Sequence, residues 1–280
     1  MTELIAARAL SGRPLTFAHR GGAALWPENT LPAFAGAVEL GVSHIETDLR
    51  VTRDQALVLF HDARVERTTN GTGFVAELTL EQLKALDAGY HFSPAAGGHP
   101  ARGRGIQVPT FEELVALAPR ARFNVEIKES GPDTAPLPQL LWDFIQRHEL
   151  QDRIVVAAEK HPLIQRFRRL SSGRVATSAS RRECLKFWLA SRLGLARALN
   201  CPYQALQVPV SVGSMRFLTP RLLDAARQRG IAVHVWTIDD VTEMQRLLGM
   251  DVDGLMSDRP DRLMQVVGAA SGEQLRKEPR

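Results

Sequence analysis

The 280-residue sequence has little cysteine, no long apolar run and almost no excess of charge. Its two cysteines, Cys184 and Cys201, have no metal-binding neighbours, which predicts reduced thiols rather than a disulfide framework or a zinc site. No stretch approaches 18 uninterrupted apolar residues, so no membrane span is predicted. The net charge of +4 is mild, and the basic residues look scattered without interleaved aromatics. Nucleic-acid binding therefore has no specific support.

Two further absences narrow the class of protein. Residues 1–14 contain charged side chains and no long apolar core, which argues against a secretory signal and predicts a cytoplasmic protein. No Gly-x-Gly-x-x-Gly motif follows a predicted strand, which disfavours a doubly wound dinucleotide-binding sheet. The composition, 44% apolar and 24% charged, is that of an ordinary globular chain. Its length suits one large α/β barrel or two small domains.

Strand-like and helix-like segments alternate along most of the chain. Apart from one antiparallel return strand, we predict eight strands, at 15–19, 44–51, 122–128, 153–158, 175–178, 205–208, 231–237 and 253–257. Eight strands separated by helices predict an α/β fold, a (β/α)8 TIM barrel, as a single domain over residues 1–280. Residues 62–109 form a small insertion, either a surface excursion or a flap over the barrel mouth. The polar tail from about Gly268 is expected to fray.

The most informative stretch begins at residue 44. Apolar residues there alternate with Glu46, Asp48 and Arg50, which is the period of a β-strand. Glu46 and Asp48 therefore share one face, roughly 7 Å apart along the strand. The other face is apolar, so the strand is expected to be half-buried. Two close carboxylates either remain solvated or bind a cation that relieves their repulsion.

A second apolar run, 56–60, follows after only four turn residues. Since a parallel crossover needs a dozen or more residues, this run must return as an antiparallel hairpin. A turn centred between Arg53 and Asp54 then places His61 across from Glu46. An imidazole would thus join the two carboxylates.

A second candidate site lies near the start of the chain. His19-Arg20-Gly21-Gly22 follows the short apolar strand 14–18. Glycine permits close approach of the backbone, and arginine offers a planar fork to phosphate oxygens. This arrangement indicates an anion site at the carboxyl end of a strand.

Taken together, these motifs resemble the glycerophosphodiester phosphodiesterase family, in its bacterial cytoplasmic form. The matching segments are His19-Arg20-Gly21, Glu28-Asn29-Thr30, Glu46-x-Asp48, His61-Asp62, 67–73, 125–128, 235–237, Asp253-Gly254 and 257–260. Their order is specific, and they span residues 15 to about 264. One departure is Gln55, where the hairpin turn of the family usually has glycine. The resemblance also favours a flap for residues 62–109.

Three of the acids form a candidate metal site. Glu46, Asp48 and Glu126 offer oxygen ligands, a set suited to Mg²⁺ or Ca²⁺. The family resemblance assigns the same three residues to a divalent cation.

The remaining site residues fit phosphodiester cleavage. Arg20 and Lys128 can neutralise the non-bridging oxygens. The resemblance implies that His19 and His61 act as general acid and base, in an order that the sequence leaves open. Trp236 is interpreted as an apolar wall for the glycerol or its substituent, although a core position is nearly as compatible.

The resemblance implies metal-dependent hydrolysis of a small-molecule glycerophosphodiester to sn-glycerol 3-phosphate and an alcohol, with a cyclic phosphate as a possible intermediate. The alternatives are a lysophospholipase D or sphingomyelinase-D-like enzyme and, further off, a non-catalytic barrel that binds phosphodiesters. Residues 184–199 are unusually apolar. They are either a barrel helix or a rim that touches an acyl chain or a membrane surface. The sequence does not predict the oligomeric state.

Overall fold

The computed structural model describes residues 8–128 and 136–277, with side chains through residue 269. The strands are β1 (Leu15–Ala18), β2 (His44–Val51), β3 (Leu57–Leu59), β4 (Arg122–Ile127), β5 (Ile154–Ala157), β6 (Ala176–Thr177), β7 (Ala205–Val208), β8 (Ser211–Val212), β9 (Met215–Arg216), β10 (Ala232–Val235) and β11 (Gly254–Ser257). The helices are α1 (Leu31–Glu39), α2 (Leu80–Lys84), α3 (Phe111–Leu117), α4 (Leu137–Arg147), α5 (His161–Ser171), α6 (Arg181–Arg192), α7 (Pro220–Arg227), α8 (Val241–Gly249) and α9 (Pro260–Lys277).

Eight of these strands run parallel in the order β6-β5-β4-β2-β1-β11-β10-β7. A parallel bridge between Ser178 and Ala205 joins the two ends of the sheet into a nearly closed barrel. Helices follow most strands and pack outside them in two large apolar clusters. The (β/α)8 barrel predicted from the sequence is confirmed, and all eight predicted strands are present with ends shifted by a few residues.

Strand β2 is buried along its whole length rather than along one face. The alternating pattern predicts a half-buried strand, which is wrong here. In a barrel the outer face of a strand lies under helices, and the inner face meets the side chains of the other strands. The acids of β2 therefore point into a crowded interior.

The hairpin is present, but its register differs from the predicted one. β3 pairs antiparallel with β2, and Leu49 faces Leu59. His61 consequently lies opposite Thr47, one position away from Glu46. The reason is the turn, in which Thr52 pairs with Ala56 instead of Gln55. Gln55 takes a left-handed conformation with φ of 63°, and three residues, 53–55, lie between the paired residues instead of two.

The insertion, residues 62–109, has its own small apolar cluster, which includes Val65, Val75 and Leu83. Two capping boxes lie in and beside it. Thr79 pairs with Gln82 at the start of α2, and Thr110 pairs with Glu113 at the start of α3.

The ends of two helices bear on the sequence analysis. α6 stops at Arg192, and residues 193–199 form a loop with one short 3-10 turn, because Gly194 takes φ of 72° and ends the helix. The last described helix continues to Lys277, and the fraying expected from about Gly268 stays a prediction. No described helix combines the length and hydropathy needed to cross a membrane.

A buried polar layer lies in the interior of the barrel. The ring of Phe17 lies between His44 and His234, with centroid distances of 4.6 and 4.7 Å. His234 is fully buried, and its Nδ1 lies 3.4 Å from the amide of Gln207. Its Nε2 has no hydrogen-bond partner among the described residues. Burial, reinforced by His44, lowers the pKa of His234 to about 3.

This histidine should make the barrel sensitive to acid. Below the unfolded value of about 6.5, the unfolded chain binds a proton that the folded His234 does not accept, so stability falls as pH falls from about 6.5 toward 3. Between pH 7 and 5 the loss attributable to His234 should be about 2 kcal/mol. Urea unfolding at both pH values should show that His234→Gln loses about that much less stability than the wild type. The exposed His99→Gln should show no such difference, and equal losses in all three proteins would contradict the assignment.

Candidate active site

Three carboxylates meet at the carboxyl ends of adjacent strands. The parallel register of β2 and β4 places Asp48 beside Glu126 and Glu46 one pleat deeper, beside Asn124. One oxygen from each of the three acids lies within 4.8 Å of the others. Glu46 and Asp48 are only 2% and 1% exposed. The three predicted metal ligands are therefore brought together.

The electrostatics of this cluster are asymmetric. Burial raises the pKa of Glu46 to about 7, assisted by Asp48 and Glu126. Burial also acts to raise the pKa of Asp48, but Lys128 and Arg20 lower it to about 2. Lys128 Nζ lies 3.1 Å from Asp48 Oδ1 and 2.8 Å from Glu126 Oε2. The raised pKa of Glu46 shows that its negative charge is unfavourable in this buried place. A hard divalent cation would stabilise that charge, and the three acids offer it only oxygen ligands.

Arg20 is positioned by a tight turn at the end of β1. The chain forms a 3-10 turn over His19–Gly21, with Arg20 at φ of 49°. Its backbone N–H donates to Glu46 Oε2 at 2.8 Å, and its Nε lies 3.2 Å from Asp48 Oδ2. A side chain at Gly21 would approach Ala33 Cβ to 2.8 Å, so the turn requires glycine there.

The Glu28-Asn29-Thr30 motif supports the same acids. Asn29 Nδ2 donates to Asp48 Oδ2 at 2.9 Å, and Asn29 Oδ1 accepts from the Thr47 hydroxyl at 2.7 Å. Thr30 occupies the N-cap position of α1, but its hydroxyl donates to the Pro27 carbonyl and forms no cap hydrogen bond with the helix.

The two predicted catalytic histidines lie near different acids of the cluster. His19 Nε2 is 4.0 Å from Glu46 Oε2, whereas His61 lines a cavity of about 320 Å³ together with Glu126 and Lys128. Each imidazole is held by a carboxylate through Nδ1, at 2.6 Å to Asp258 for His19 and at 2.6 Å to Asp62 for His61. In both rings Nε2 is the nitrogen that does not bond to this carboxylate.

His19 has a strongly shifted proton affinity. Burial acts to lower its pKa, but Glu46 and Asp258 outweigh that effect and raise it to about 9.

The carbonyl of His61 accepts two hydrogen bonds from Arg50, at 2.9 and 2.6 Å. The end of the hairpin is thus fixed through its backbone as well as its side chain.

A chain of ion pairs links the insertion to the first turn of the barrel. Arg67, in the insertion, binds Asp62 and also donates to both oxygens of Glu28 at 2.7 Å. Glu28 in turn accepts from Arg20 at 2.9 Å. Charges from β2, the hairpin and the insertion therefore form one connected network.

Trp236 is separate from this network. It lies one residue beyond β10, at the carboxyl end of that strand, and is 43% exposed. A plain core position is thereby excluded. Its role as an apolar wall stays a prediction.

The chain matches the model of the "Glycerophosphoryl diester phosphodiesterase family" over residues 19–262. It is 31% identical over 259 residues to a glycerophosphodiester phosphodiesterase of Caldanaerobacter subterraneus subsp. tengcongensis, covering 91% of this chain and 98% of the relative. This chain belongs to the glycerophosphoryl diester phosphodiesterase family. It is accordingly an enzyme of the phosphoric diester hydrolase class, and the resemblance read from its motifs is confirmed.

Solved structures of glycerophosphodiester phosphodiesterases share the fold. The glycerophosphoryl diester phosphodiesterase domain of an uncharacterized Mycobacterium tuberculosis protein superposes with a TM-score of 0.78 at 21% identity, covering 91% of this chain and 99% of that one. An Oleispira antarctica phosphodiesterase, solved in complex with the product sn-glycerol-3-phosphate, gives a TM-score of 0.74 at 21% identity, with coverages of 91% and 97%.

Four residues in this family member acquire roles that the sequence analysis did not assign. Asp258 and Asp62 hold the histidines, Asn29 holds Asp48, and Glu28 connects Arg20 to Arg67. All four stand inside the motifs that carry the family resemblance. Only their place inside these motifs could have indicated the roles in advance. An acid next to a histidine, or directly after the last strand, forms no sequence pattern of its own.

Asp258 should act as a positioning residue for His19. Asp258→Asn keeps the size of the side chain but leaves His19 without its carboxylate, so kcat should fall at least about tenfold with KM little changed. Steady-state kinetics and thermal unfolding of the same preparations test this. Asp261→Asn, which removes a charge three residues away, is the control and should retain full kcat. An unchanged kcat in Asp258→Asn, or an equal loss in both variants, would contradict the role.

Proposed function

We propose that this enzyme hydrolyses glycerophosphodiesters to sn-glycerol 3-phosphate and an alcohol. The proposal depends most on one observation, namely that two carboxylate-held imidazoles flank three converging carboxylates at one end of the barrel. Phosphodiester cleavage needs a proton acceptor, a proton donor and stabilisation of the charge on the phosphate. This arrangement provides residues suited to each need.

We assign Glu46, Asp48 and Glu126 to a divalent cation, Mg²⁺ or Ca²⁺. A bound cation would supply charge neutralisation on the non-bridging oxygens of the phosphate. Among the protein's own groups, Lys128 and Arg20 contact the acids at the edge of the cluster. Their positive charges would hold the phosphate against the carboxylates, which by themselves would repel it.

The two histidines would move the protons. One accepts a proton at Nε2 from the attacking hydroxyl. If water attacks, glycerol 3-phosphate forms directly; if the adjacent glycerol hydroxyl attacks, a cyclic phosphate forms, and a water molecule then breaks one of its ring P–O bonds to give glycerol 3-phosphate. The other histidine donates a proton from Nε2 to the oxygen of the departing alcohol. Asp62 and Asp258 bond Nδ1 of these rings, which leaves each Nε2 for proton transfer. When the P–O bond to the departing alcohol breaks, its electron pair stays on the alcohol oxygen, which also takes the proton from the second histidine.

The direct test is release of glycerol 3-phosphate from glycerophosphocholine, with and without EDTA, beside choline release from lysophosphatidylcholine. EDTA-sensitive turnover of the water-soluble diester is the expected result. Turnover of the acylated substrate alone would move the enzyme to the lysophospholipase D class. Turnover of neither would contradict the proposed substrate class while leaving the family unchanged.

A further inference from the structure

The outer face of α6 carries leucines that the barrel does not use. The inner face, which includes Phe187 and Trp188, is buried. At 3.6 residues per turn, the exposed residues of the helix and its C-cap fall within one arc of about 140°. They are Arg181, Arg182, Leu185, Lys186, Leu189, Arg192 and Leu193. The three leucines, 48%, 48% and 70% exposed, lie four residues apart and form a single stripe.

This arc is also strongly basic. Residues 160–197 contain ten Lys and Arg and one acid, whereas the whole chain has 35 basic and 31 acidic residues. The basic residues are therefore clustered rather than scattered. The single acid, Glu183, is turned inward and binds Arg168. Within the arc only Arg181 has an ion pair among the described residues, at 3.2 Å to Glu159, and both side chains are exposed.

The neighbouring helix extends the same charge. α5 packs beside α6, contributes the exposed Arg166 and Arg169, and contains no acidic residue. Beyond the end of α6, Leu195 is 57% exposed and Arg197 is exposed as well. The apolar stripe and the positive field thus coincide on one side of the barrel.

We propose that the outer face of α6 docks on the surface of an anionic phospholipid bilayer. Leucines in a helix that lies parallel to the surface enter the interfacial region, and the flanking cations meet the phosphates. Polyanionic nucleic acid would match the charge but gives the leucine stripe no apolar partner. A second copy of this chain would bring two basic faces together. The proposal concerns a surface outside the active site and goes beyond the hydrolytic function.

The test is flotation of the full chain with phosphatidylcholine vesicles that contain or lack phosphatidylglycerol. Binding should require the anionic lipid and should weaken at high salt. Arg182→Gln with Lys186→Gln should reduce the partition coefficient about thirtyfold, since each cation contributes about 1 kcal/mol at such a surface. Leu189→Ser with Leu193→Ser should reduce it at least about tenfold. Leu117→Ser, at a 41% exposed leucine of α3, is the matched control and should bind as the wild type does.

Three outcomes would overturn the proposal. The first is equal binding to neutral and anionic vesicles, or no loss in the two double variants. The second is binding to duplex DNA that the leucine variants leave intact, without vesicle binding. The third is a dimer in analytical ultracentrifugation that the leucine variants dissociate, again without vesicle binding. Hydrolysis of glycerophosphocholine in solution should be the same in all variants, so this result is independent of the catalytic assignment.

Discussion

Replacing His19 or His61 with alanine should lower kcat by at least about 100-fold, the usual scale for the loss of a general acid or base. Each ring has Nδ1 on a carboxylate, which leaves Nε2 for proton transfer, so either substitution removes one of the two proposed proton-transfer groups. Stopped assays of glycerol 3-phosphate release, with protein purified in parallel, measure the effect.

Folding must be separated from chemistry in these variants. His19 and His61 are both partly exposed at the barrel mouth, so alanine there should shift Tm by only a few degrees. His99→Ala, in the exposed part of the insertion, is the matched histidine control and should retain full kcat. A double variant, His19→Ala with His61→Ala, that keeps wild-type turnover would end the two-histidine mechanism.

Adding Mg²⁺ or Ca²⁺ should raise the Tm of the wild type, and Asp48→Asn should remove that rise. A ligand present at about 100 times its dissociation constant stabilises the folded state by about 2.7 kcal/mol, which corresponds to several degrees in a chain of this size. Asp48 lies at the centre of the cluster, between Lys128, Arg20 and Asn29. Differential scanning calorimetry with EDTA and then with excess cation gives the shift directly.

The useful quantity is the shift caused by the cation, because Asp48→Asn also changes the contacts of Lys128 and Arg20 and hence the starting Tm. Glu46→Gln should likewise abolish the rise. Glu81→Gln, on the exposed face of α2, should preserve it. If the rise persists in both cluster variants, the cation binds elsewhere.

The sequence predicted the barrel and the convergence of the three acids correctly, because the barrel and the common face of Glu46 and Asp48 depend on local periodicity. The alternation around Glu46 and Asp48 sets their common face, and the repeated strands set the closure of the sheet. The carboxyl-end rule then brings Glu126 to the same place. None of these steps needs knowledge of a particular turn.

The sequence analysis missed the hairpin register, which depends on a backbone torsion angle, and the contact between His19 and Asp258, which are far apart in the chain. The left-handed Gln55 lengthened the hairpin turn by one residue and moved His61 from Glu46 to Thr47. A periodic pattern does not carry that information, because glutamine seldom adopts this conformation. Asp258 reaches His19 across 239 positions of the chain, which only the closed barrel brings together.

The ion pairs of Arg67 limit how this enzyme could be re-engineered. Through Asp62 and Glu28, Arg67 ties the start of the insertion to His61 on one side and to the turn at Arg20 on the other. Grafting the insertion of another barrel at residue 62 would therefore replace the residues, Asp62 and Arg67, that hold His61. A chimera should tolerate exchange within 90–105, where the loop is largely exposed, and should lose turnover when the junction removes Arg67. The boundary between scaffold and exchangeable loop lies inside the insertion, not at its first residue.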